Sequence, residues 1–365
     1  MNGWHDAVRE LRGYRYLSTA KRLFDDKPLQ CSLYVTDQCN LDCSYCTEYD
    51  NTRPHPSLED LTRWLTRIRD LGTVRVALVG GEPLLHPDIV EIVRRTRRLG
   101  VAVSLTTNGF LLSKDLLNDL ERAGLEVIQL SVDRMTPSAI TRKSFKTILP
   151  KLELFRGSNI NLHITGVLCD DTMPESRAVL ETGIARGIPT EVRMVHAGPD
   201  QRFRVDPGTR RTLEAFIEWM KDAKESGVKI HTTDAILDYQ LALVRREKVD
   251  WSCTAGFKIF FVSAQGKFWI CSMRPTDKHI LDVTPADLVA NNRPKPCQDG
   301  CGVYCCVSTS FFYQSPFTQV TREVRARVRR ALGQAGLRSA AAAPTDGTAT
   351  VSHAQESDAM FTRPE

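Results

Sequence analysis

Between residue 31 and about residue 200 the chain alternates short apolar runs with amphipathic segments six times. No other feature limits its architecture so strongly. The runs at 33–36, 74–79, 101–106, 127–132, 160–168 and 190–195 read as strands. Helices with clear punctuation lie between them. One opens at Ser57, an N-cap with Asp60 three residues on, carries Leu58, Leu61, Trp64, Leu65 and Ile68, and stops at Gly72. Another opens near Ser113, buries Leu116, Leu117 and Leu120, and ends at Gly124. Repeats of this kind build a parallel sheet with right-handed crossovers, and its chemistry sits at the C-terminal ends of the strands.

The end of the first strand leads into three cysteines, Cys39-x3-Cys43-x2-Cys46, in the string CNLDCSYC. Three thiolates so close together can hold three irons of a [4Fe–4S] cluster and leave the fourth without a protein ligand. Electron-transfer clusters usually have four cysteine ligands, so a deficit of one points to an iron kept open for a substrate or cosubstrate. Structural zinc sites pair two short C-x2-4-C units, which this spacing fits poorly. A disulfide framework is the other reading, but eleven cysteines without a secretion signal point to metal ligation. Two more strand ends carry ligand-type groups. In VRVALVGGEPLLHP the apolar run breaks into Gly80, Gly81, Glu82 and Pro83, where glycines admit close backbone approach and a carboxylate suits an ammonium. VAVSLTTNG ends in Thr107, Asn108 and Gly109. Alone, the first is a strand-to-helix turn and the second a hairpin turn; together, in this order, they favour a common site.

On these residues the chain resembles the radical S-adenosylmethionine (SAM) superfamily. The resemblance implies an α/β fold, a partial (β/α)6 TIM-like barrel open on one side, with all three motifs at its mouth. It implies a [4Fe–4S] cluster on Cys39, Cys43 and Cys46, with SAM at the open iron. Tyr45 would lie against the adenine, and Gly80, Gly81, Glu82 and Pro83 would hold the methionine ammonium. Thr107 and Asn108 form the third matching motif, and Ser131 and Asp133, which end VIQLSVD, would contact the ribose. The family often has glycine after that aspartate; here Arg134 follows, and a strand-end aspartate also serves as a turn cap. The implied chemistry begins with one electron from a flavodoxin or ferredoxin. It cleaves SAM to methionine and a 5′-deoxyadenosyl radical, which abstracts hydrogen from the substrate.

Residues 207–227 and 234–247 read as two more amphipathic helices, and beyond Trp251 cysteines return. FKIFFV, a turn at Ala264-Gln265-Gly266, and KFWI form a β-hairpin that brings Cys253 and Cys271 side by side. PCQDGCGVYCC adds Cys297, Cys301, Cys305 and Cys306. This region resembles the SPASM/twitch extension of radical SAM enzymes, although its second half departs from the full C-x2-C-x5-C-x3-C pattern. Two fully ligated clusters need eight thiolates and the module has six, so one auxiliary [4Fe–4S] cluster is expected. Cys253 and Cys271 supply two ligands, with Cys297, Cys301 and Cys305 as candidates for the rest. Cys306 also remains open, since adjacent side chains diverge and both members of the pair are not expected on one cluster. A zinc ribbon is the alternative. Cys31 and Cys169 match no motif and read as small buried residues. The expected organisation is an N-terminal helical segment over 1–30 and a core barrel over 31–233. A linker helix and small C-terminal β-hairpin/helix cluster-binding extension would follow over 234–332, then a disordered tail over 333–365.

The net charge of +5 is mild, and the basic stretch at 322–330 reads as a solvated helix face, so no nucleic-acid partner is expected. No run reaches the roughly 18 apolar residues of a membrane helix, and the N-terminus lacks a signal-peptide core, which suggests a cytoplasmic enzyme. Asn161, His163, Arg193 and His196 lie on late strands; strand histidines are more often hydrogen-bonded core residues than catalysts, and no acid, base or hydrogen donor stands out. Only 38 residues precede Cys39, too few for an N-terminal peptide-recognition or cobalamin domain. That favours a small molecule, or a peptide presented by another protein. The expectation is an oxidoreductase or tailoring enzyme of natural-product biosynthesis, with the auxiliary cluster as electron acceptor. A maturase of ribosomally made peptides is the alternative. A non-catalytic iron–sulfur carrier or sensor is the rival, and it would have no use for the GGEP site.

Overall fold

Six parallel strands form where the apolar runs lie: β1 (Gln30–Thr36), β2 (Arg75–Gly80), β3 (Ala102–Thr107), β4 (Val127–Ser131), β5 (Asn161–Leu168) and β6 (Thr190–Met194). The computed structural model describes Arg22 and residues 24–169, 172–194, 207–228 and 230–315. Most of the expected N-terminal helical segment, His196, the basic stretch at 322–330 and the tail lie outside the described residues. Residues 24–29 are described and form no helix; they lead directly into β1. Crossovers carry α1 (Leu58–Asp70), α2 (Ile89–Arg98), α3 (Lys114–Ala123), α4 (Phe145–Leu152) and α5 (Met173–Ala185), followed after β6 by α6 (Pro207–Glu225) and α7 (Asp234–Arg245).

The caps work as the sequence suggests. Ser57 Oγ accepts from the Asp60 amide at 3.1 Å, and Ser113 Oγ from the Leu116 amide at 3.2 Å. Each satisfies a donor that the first helical turn leaves without a partner. α1 buries Leu61, Trp64, Leu65 and Ile68 against the sheet, each worth about 1.5–3 kcal/mol. Leu116, expected in the core, is only partly buried, while Leu117 and Leu120 are fully enclosed.

Three C-terminal strands, β7 (Ile259–Val262), β8 (Lys267–Cys271) and β9 (Arg274–His279), extend the sheet, and the order β6-β5-β4-β3-β2-β1-β7-β8-β9 is linear, so the sheet does not close and the barrel is partial. The C-terminal hairpin joins the barrel sheet directly. β7 (Ile259–Val262) and β8 (Lys267–Cys271) pair antiparallel as expected, but β7 also pairs parallel with β1, from Gln30↔Ile259 to Leu33↔Val262. The extension therefore continues the barrel sheet beside the cysteine loop. A further strand, β9 (Arg274–His279), was not legible in the sequence; α8 (Pro285–Ala290) and α9 (Tyr304–Gln314) follow. Buried Lys258 fixes this junction, its ammonium donating to the carbonyls of Arg22 (2.7 Å), Lys27 (3.1 Å) and Asp25.

Side chains alternate along each strand. Leu105, Ile128, Leu130 and Ile164 join the helix-covered core. Thr106, Gln129, Thr165, Glu191 and Arg193 occupy the alternate positions and line the concave side. Among the described residues no helix is long and apolar enough to cross a membrane.

Candidate functional site

The cysteine loop is tied down at its root. Thr36 Oγ1 lies 2.7 Å from His55 Nδ1 and accepts from the Gln38 amide at 3.0 Å; the Cys39 amide donates to Asn51 Oδ1 at 2.8 Å. Asp37 accepts from Arg53 at 3.1 Å and from Gln265 of the C-terminal hairpin at 2.6 Å. Gly80 and Gly81 serve this root. Gly80 has a φ of 140°, and a Cβ there would overlap the Thr36 carbonyl oxygen, while a Cβ on Gly81 would overlap that of Gln38. The Gly81 and Glu82 amides donate to those same carbonyls at 3.0 and 2.8 Å. The two glycines thus admit a close approach between the end of β2 and the segment after β1.

Glu82 is almost wholly buried, and its carboxylate gathers three donors: the Leu84 amide (3.0 Å), Thr107 Oγ1 (2.6 Å) and the Asn108 amide (2.7 Å). Burial raises its pKa, against the pull of those hydrogen bonds. Pro83 is buried and opens the short turn Pro83–Leu85 that follows. Asn108 extends the link, donating through Nδ2 to Asn40 in the cysteine loop at 2.7 Å. GGEP, TNG and CNLDCSYC are thus one bonded unit.

Among the thiols, Cys43 is buried with Sγ 3.3 Å from Thr141 Oγ1, and Cys39 Sγ accepts from the Leu41 amide at 3.4 Å. Burial pushes the Cys39 and Cys46 thiols up. Tyr45 donates its phenolic hydrogen to Asp133 and accepts from Lys143 Nζ at 3.0 Å. Asp133, buried at the end of β4, also accepts from Thr141 Oγ1 (3.1 Å) and the Val167 amide (2.9 Å). Burial works against charge on Lys143, but Asp133, Tyr45 and Cys43 outweigh it and hold the ammonium well above the usual lysine range. Ser131 sits half-buried in register with Thr165. Lys143 and Thr141 escaped the sequence reading because no motif marks them and only tertiary structure brings them to the cysteine loop; Asn40 lies inside CNLDCSYC, but nothing in the spacing shows its bond to Asn108.

The second cysteine group forms at the far side of β1. Cys253, Cys271, Cys301 and Cys306 share one buried cluster with Tyr34 and Trp251, and Cys305 packs at its edge. A hydrogen bond from Cys306 pushes the Cys271 thiol down to about 7. Adjacent residues on a helix point about 100° apart, and α9 turns its pair accordingly. Cys306 is buried and hydrogen-bonds both Cys271 and Cys305, whereas Cys305 is half-exposed and is also felt by Arg193 and Tyr34. Among the described residues no three His, Cys, Asp or Glu side chains converge as the ligands of a single ion would. Thiolates of a four-iron cube bind separate corners, so the donor chemistry of both cysteine groups fits a cluster. Cys31 is fully buried in β1, and Cys169 Sγ lies 3.5 Å from Thr172 Oγ1.

Between the two groups the concave face is polar. Thr106 Oγ1 donates to Gln129 Oε1 (3.2 Å), Gln129 Nε2 to Glu191 Oε1 (3.5 Å) and Tyr304 OH to Glu191 Oε2 (2.6 Å). Arg193 pairs with Glu191 and lies 4.1 Å over the Tyr304 ring, while its buried Nε has no hydrogen-bond partner among the described residues. Glu191 is desolvated, but Arg193, His231 and Tyr304 hold its carboxyl below the usual range. Glu48 faces this space as well: water reaches it, yet protein rings it closely enough to raise its pKa despite a hydrogen bond from Tyr34. Of the other strand residues singled out, Asn161 Nδ2 donates to the Glu126 carbonyl at 3.2 Å, and His163 is buried with its ring centroid 4.5 Å from that of His231.

Residues 33–182 match the model of the Radical SAM superfamily. The GTP 3′,8-cyclase of Limosilactobacillus fermentum is 32% identical over 160 residues, which cover 42% of this chain and 45% of that protein. The PqqA peptide cyclase of Streptomyces rochei is 36% identical over 115 residues, or 31% of this chain and 32% of that protein. The match thus spans less than half the length of either curated relative. Among solved structures, native anSMEcpe with bound AdoMet superposes with a TM-score of 0.56 at 17% identity, covering 80% of this chain and 98% of the other. Streptococcus suis SuiB bound to precursor peptide SuiA gives 0.57 at 17% identity, covering 77% and 68%. These two likenesses bear on the fold. With its three motifs bonded into one unit at the mouth of a parallel sheet, the stretch 33–182 is a radical SAM domain, a family whose known members bind a [4Fe–4S] cluster and SAM.

Proposed function

We propose that this chain is a radical SAM enzyme that abstracts a hydrogen atom from a peptide held on the concave face of the barrel, and that the second cysteine group holds an auxiliary [4Fe–4S] cluster. Cys39, Cys43 and Cys46 hold the first cluster. When bound, it supplies the electron that splits SAM into methionine and a 5′-deoxyadenosyl radical. The protein's part is binding and exclusion. Glu82 and its neighbours receive the methionine ammonium, and Tyr45 with Asp133 and Ser131 flanks the nucleoside, with Lys143 bonded to Tyr45 and 3.9 Å from Asp133 holding that pair in place. Cys253, Cys271 and Cys306, with Cys297 or Cys301, hold the second cluster; Cys305 faces the substrate space instead.

One observation carries the reading: the polar wall of Gln129, Glu191, Arg193 and Tyr304 lies between the two cysteine groups, on a face that a merely structural barrel fills with branched apolar side chains. Arg193 brings an unsatisfied donor to it. Its charge is already balanced by Glu191, which suits a neutral carbonyl of the substrate better than a further carboxylate. The peptide reading draws on the PqqA peptide cyclases and on SuiB with its precursor peptide; the GTP cyclases favour a nucleotide as the second reading. A cluster held by the second cysteine group would supply a one-electron acceptor, so that hydrogen abstraction followed by loss of one electron and one proton from the substrate radical would amount to a net two-electron oxidation.

The test is a full-length Cys39→Ala, Cys43→Ala, Cys46→Ala variant, reconstituted anaerobically beside the wild type. It should form no 5′-deoxyadenosine yet retain the iron of one cluster. Turnover that survived the substitutions would refute the assignment of the first cluster, and complete loss of iron would refute the second.

A further inference from the structure

Two cations face the second cysteine group without a carboxylate to balance them. Lys295 is buried, with 7% of its surface exposed, and its Nζ donates to the carbonyls of Cys253 (2.7 Å) and Asn291. Burial pulls its pKa below the usual lysine range, and the neighbouring Cys253, Cys306 and Cys297 thiols work against that pull. Arg274, half-buried at the start of β9, points Nη1 at Cys297 Sγ at 3.7 Å. Among the described residues neither forms an ion pair with an aspartate or glutamate, whereas other cations of the fold do, such as Arg134 with Glu175 and Arg193 with Glu191. Burying an ammonium with only carbonyl partners is unfavourable unless a negative charge lies nearby. The nearby groups able to supply it are thiols, and thiols become negative when they ligate iron.

We infer that Lys295 and Arg274 are the counter-charges of the auxiliary cluster and raise its reduction potential, so that it accepts electrons. The inference rests on the auxiliary cluster proposed above. A cluster held by four thiolates carries net negative charge, and reduction adds one more. A fixed cation therefore stabilises the reduced state more than the oxidised one. Burial multiplies the effect, because the interaction is poorly screened. Neither residue needs to ligate iron or touch the substrate, so both act as positioning charges rather than catalytic groups. The consequence is functional: an electron left on a substrate radical moves downhill to this cluster.

The experiment is an EPR-monitored redox titration of full-length protein in the Cys39→Ala, Cys43→Ala, Cys46→Ala background, where only the auxiliary cluster contributes. Iron and sulfide are assayed on the same samples. Lys295→Met and Arg274→Gln should each make the cluster about tenfold harder to reduce, a fall of about 59 mV for a one-electron couple. Lys295→Arg should stay within twofold of the parent. Should Lys295→Met fail to hold iron, Arg274→Gln on the exposed side decides. Full iron content with parental midpoints in Lys295→Met and Arg274→Gln would overturn the inference and leave the cluster assignment standing. A parent without auxiliary iron would overturn both.

Discussion

Glu82 is expected to do two jobs, and two substitutions separate them. Glu82→Ala removes the acceptor shared by Thr107 Oγ1 and the Leu84 and Asn108 amides, all buried. A buried donor left without a partner costs about 1–3 kcal/mol. Water entering the vacated space recovers part of that, and the carboxylate's own desolvation, visible in its raised pKa, is relieved. A net loss on the order of 3–5 kcal/mol follows for three such donors, against a total stability of about 5–15 kcal/mol. Glu82→Gln keeps the shape and one oxygen, so it should lose about 1–3 kcal/mol. It also removes the negative charge that would meet the SAM ammonium. Charge-assisted hydrogen bonds contribute about 1.5–3 kcal/mol, so SAM affinity should fall roughly tenfold or more in the glutamine variant. Guanidinium unfolding under anaerobic conditions reads the first quantity through the midpoint at constant slope; an equilibrium SAM titration reads the second. Wild-type stability in Glu82→Ala would refute the bracing role, and unchanged SAM affinity in Glu82→Gln would refute the ammonium role.

Other outcomes follow from the same geometry. Cys306→Ala should lose the auxiliary iron, whereas Cys305→Ala should retain it and change turnover only; elemental analysis of the two variants distinguishes them. Gly81→Ala forces a methyl into the Gln38 carbonyl, so the root of the cysteine loop must shift, and SAM-dependent activity should drop while the core stays folded by circular dichroism. Glu191→Gln should destabilise the metal-free protein at neutral pH. Because Arg193, His231 and Tyr304 depress the Glu191 pKa in the folded state, the wild-type advantage is fully present above the ordinary glutamate value near 4.3 and shrinks as pH falls below it. An advantage that grew on acidification would contradict that assignment.

The barrel was legible because each parallel strand is covered on one face by helices and therefore reads as an apolar run with a capped helix after it. Ser57 and Ser113 announced their helices through capping that the structure contains. The three motifs were legible as candidate sites, but not the bonding that makes them one unit: nothing in the spacing says that Asn108 reaches Asn40 or that Glu82 receives the Asn108 amide. Lys143 lies on a segment of no distinctive pattern, and only the turn after β4 brings it to Tyr45. Arg193 was visible as a charged residue on a late strand, yet its meaning depends on Glu191 two residues before it and on Tyr304 arriving from more than a hundred residues away. The parallel pairing of β7 with β1 escaped for a related reason. A hairpin specifies its own partner strand locally, but the neighbour on its other edge is chosen by tertiary packing.

The central claim is tested most directly by product formation. Full-length protein, reconstituted without oxygen and shown by iron and sulfide content to hold its clusters, is mixed with SAM and a low-potential reductant, and 5′-deoxyadenosine is quantified. The account predicts reductant-dependent 5′-deoxyadenosine, absent from the Cys39→Ala, Cys43→Ala, Cys46→Ala variant. Cluster-loaded protein that forms none, either alone or with a peptide extract offered as substrate, would contradict it and leave an iron–sulfur protein that keeps the fold without the chemistry.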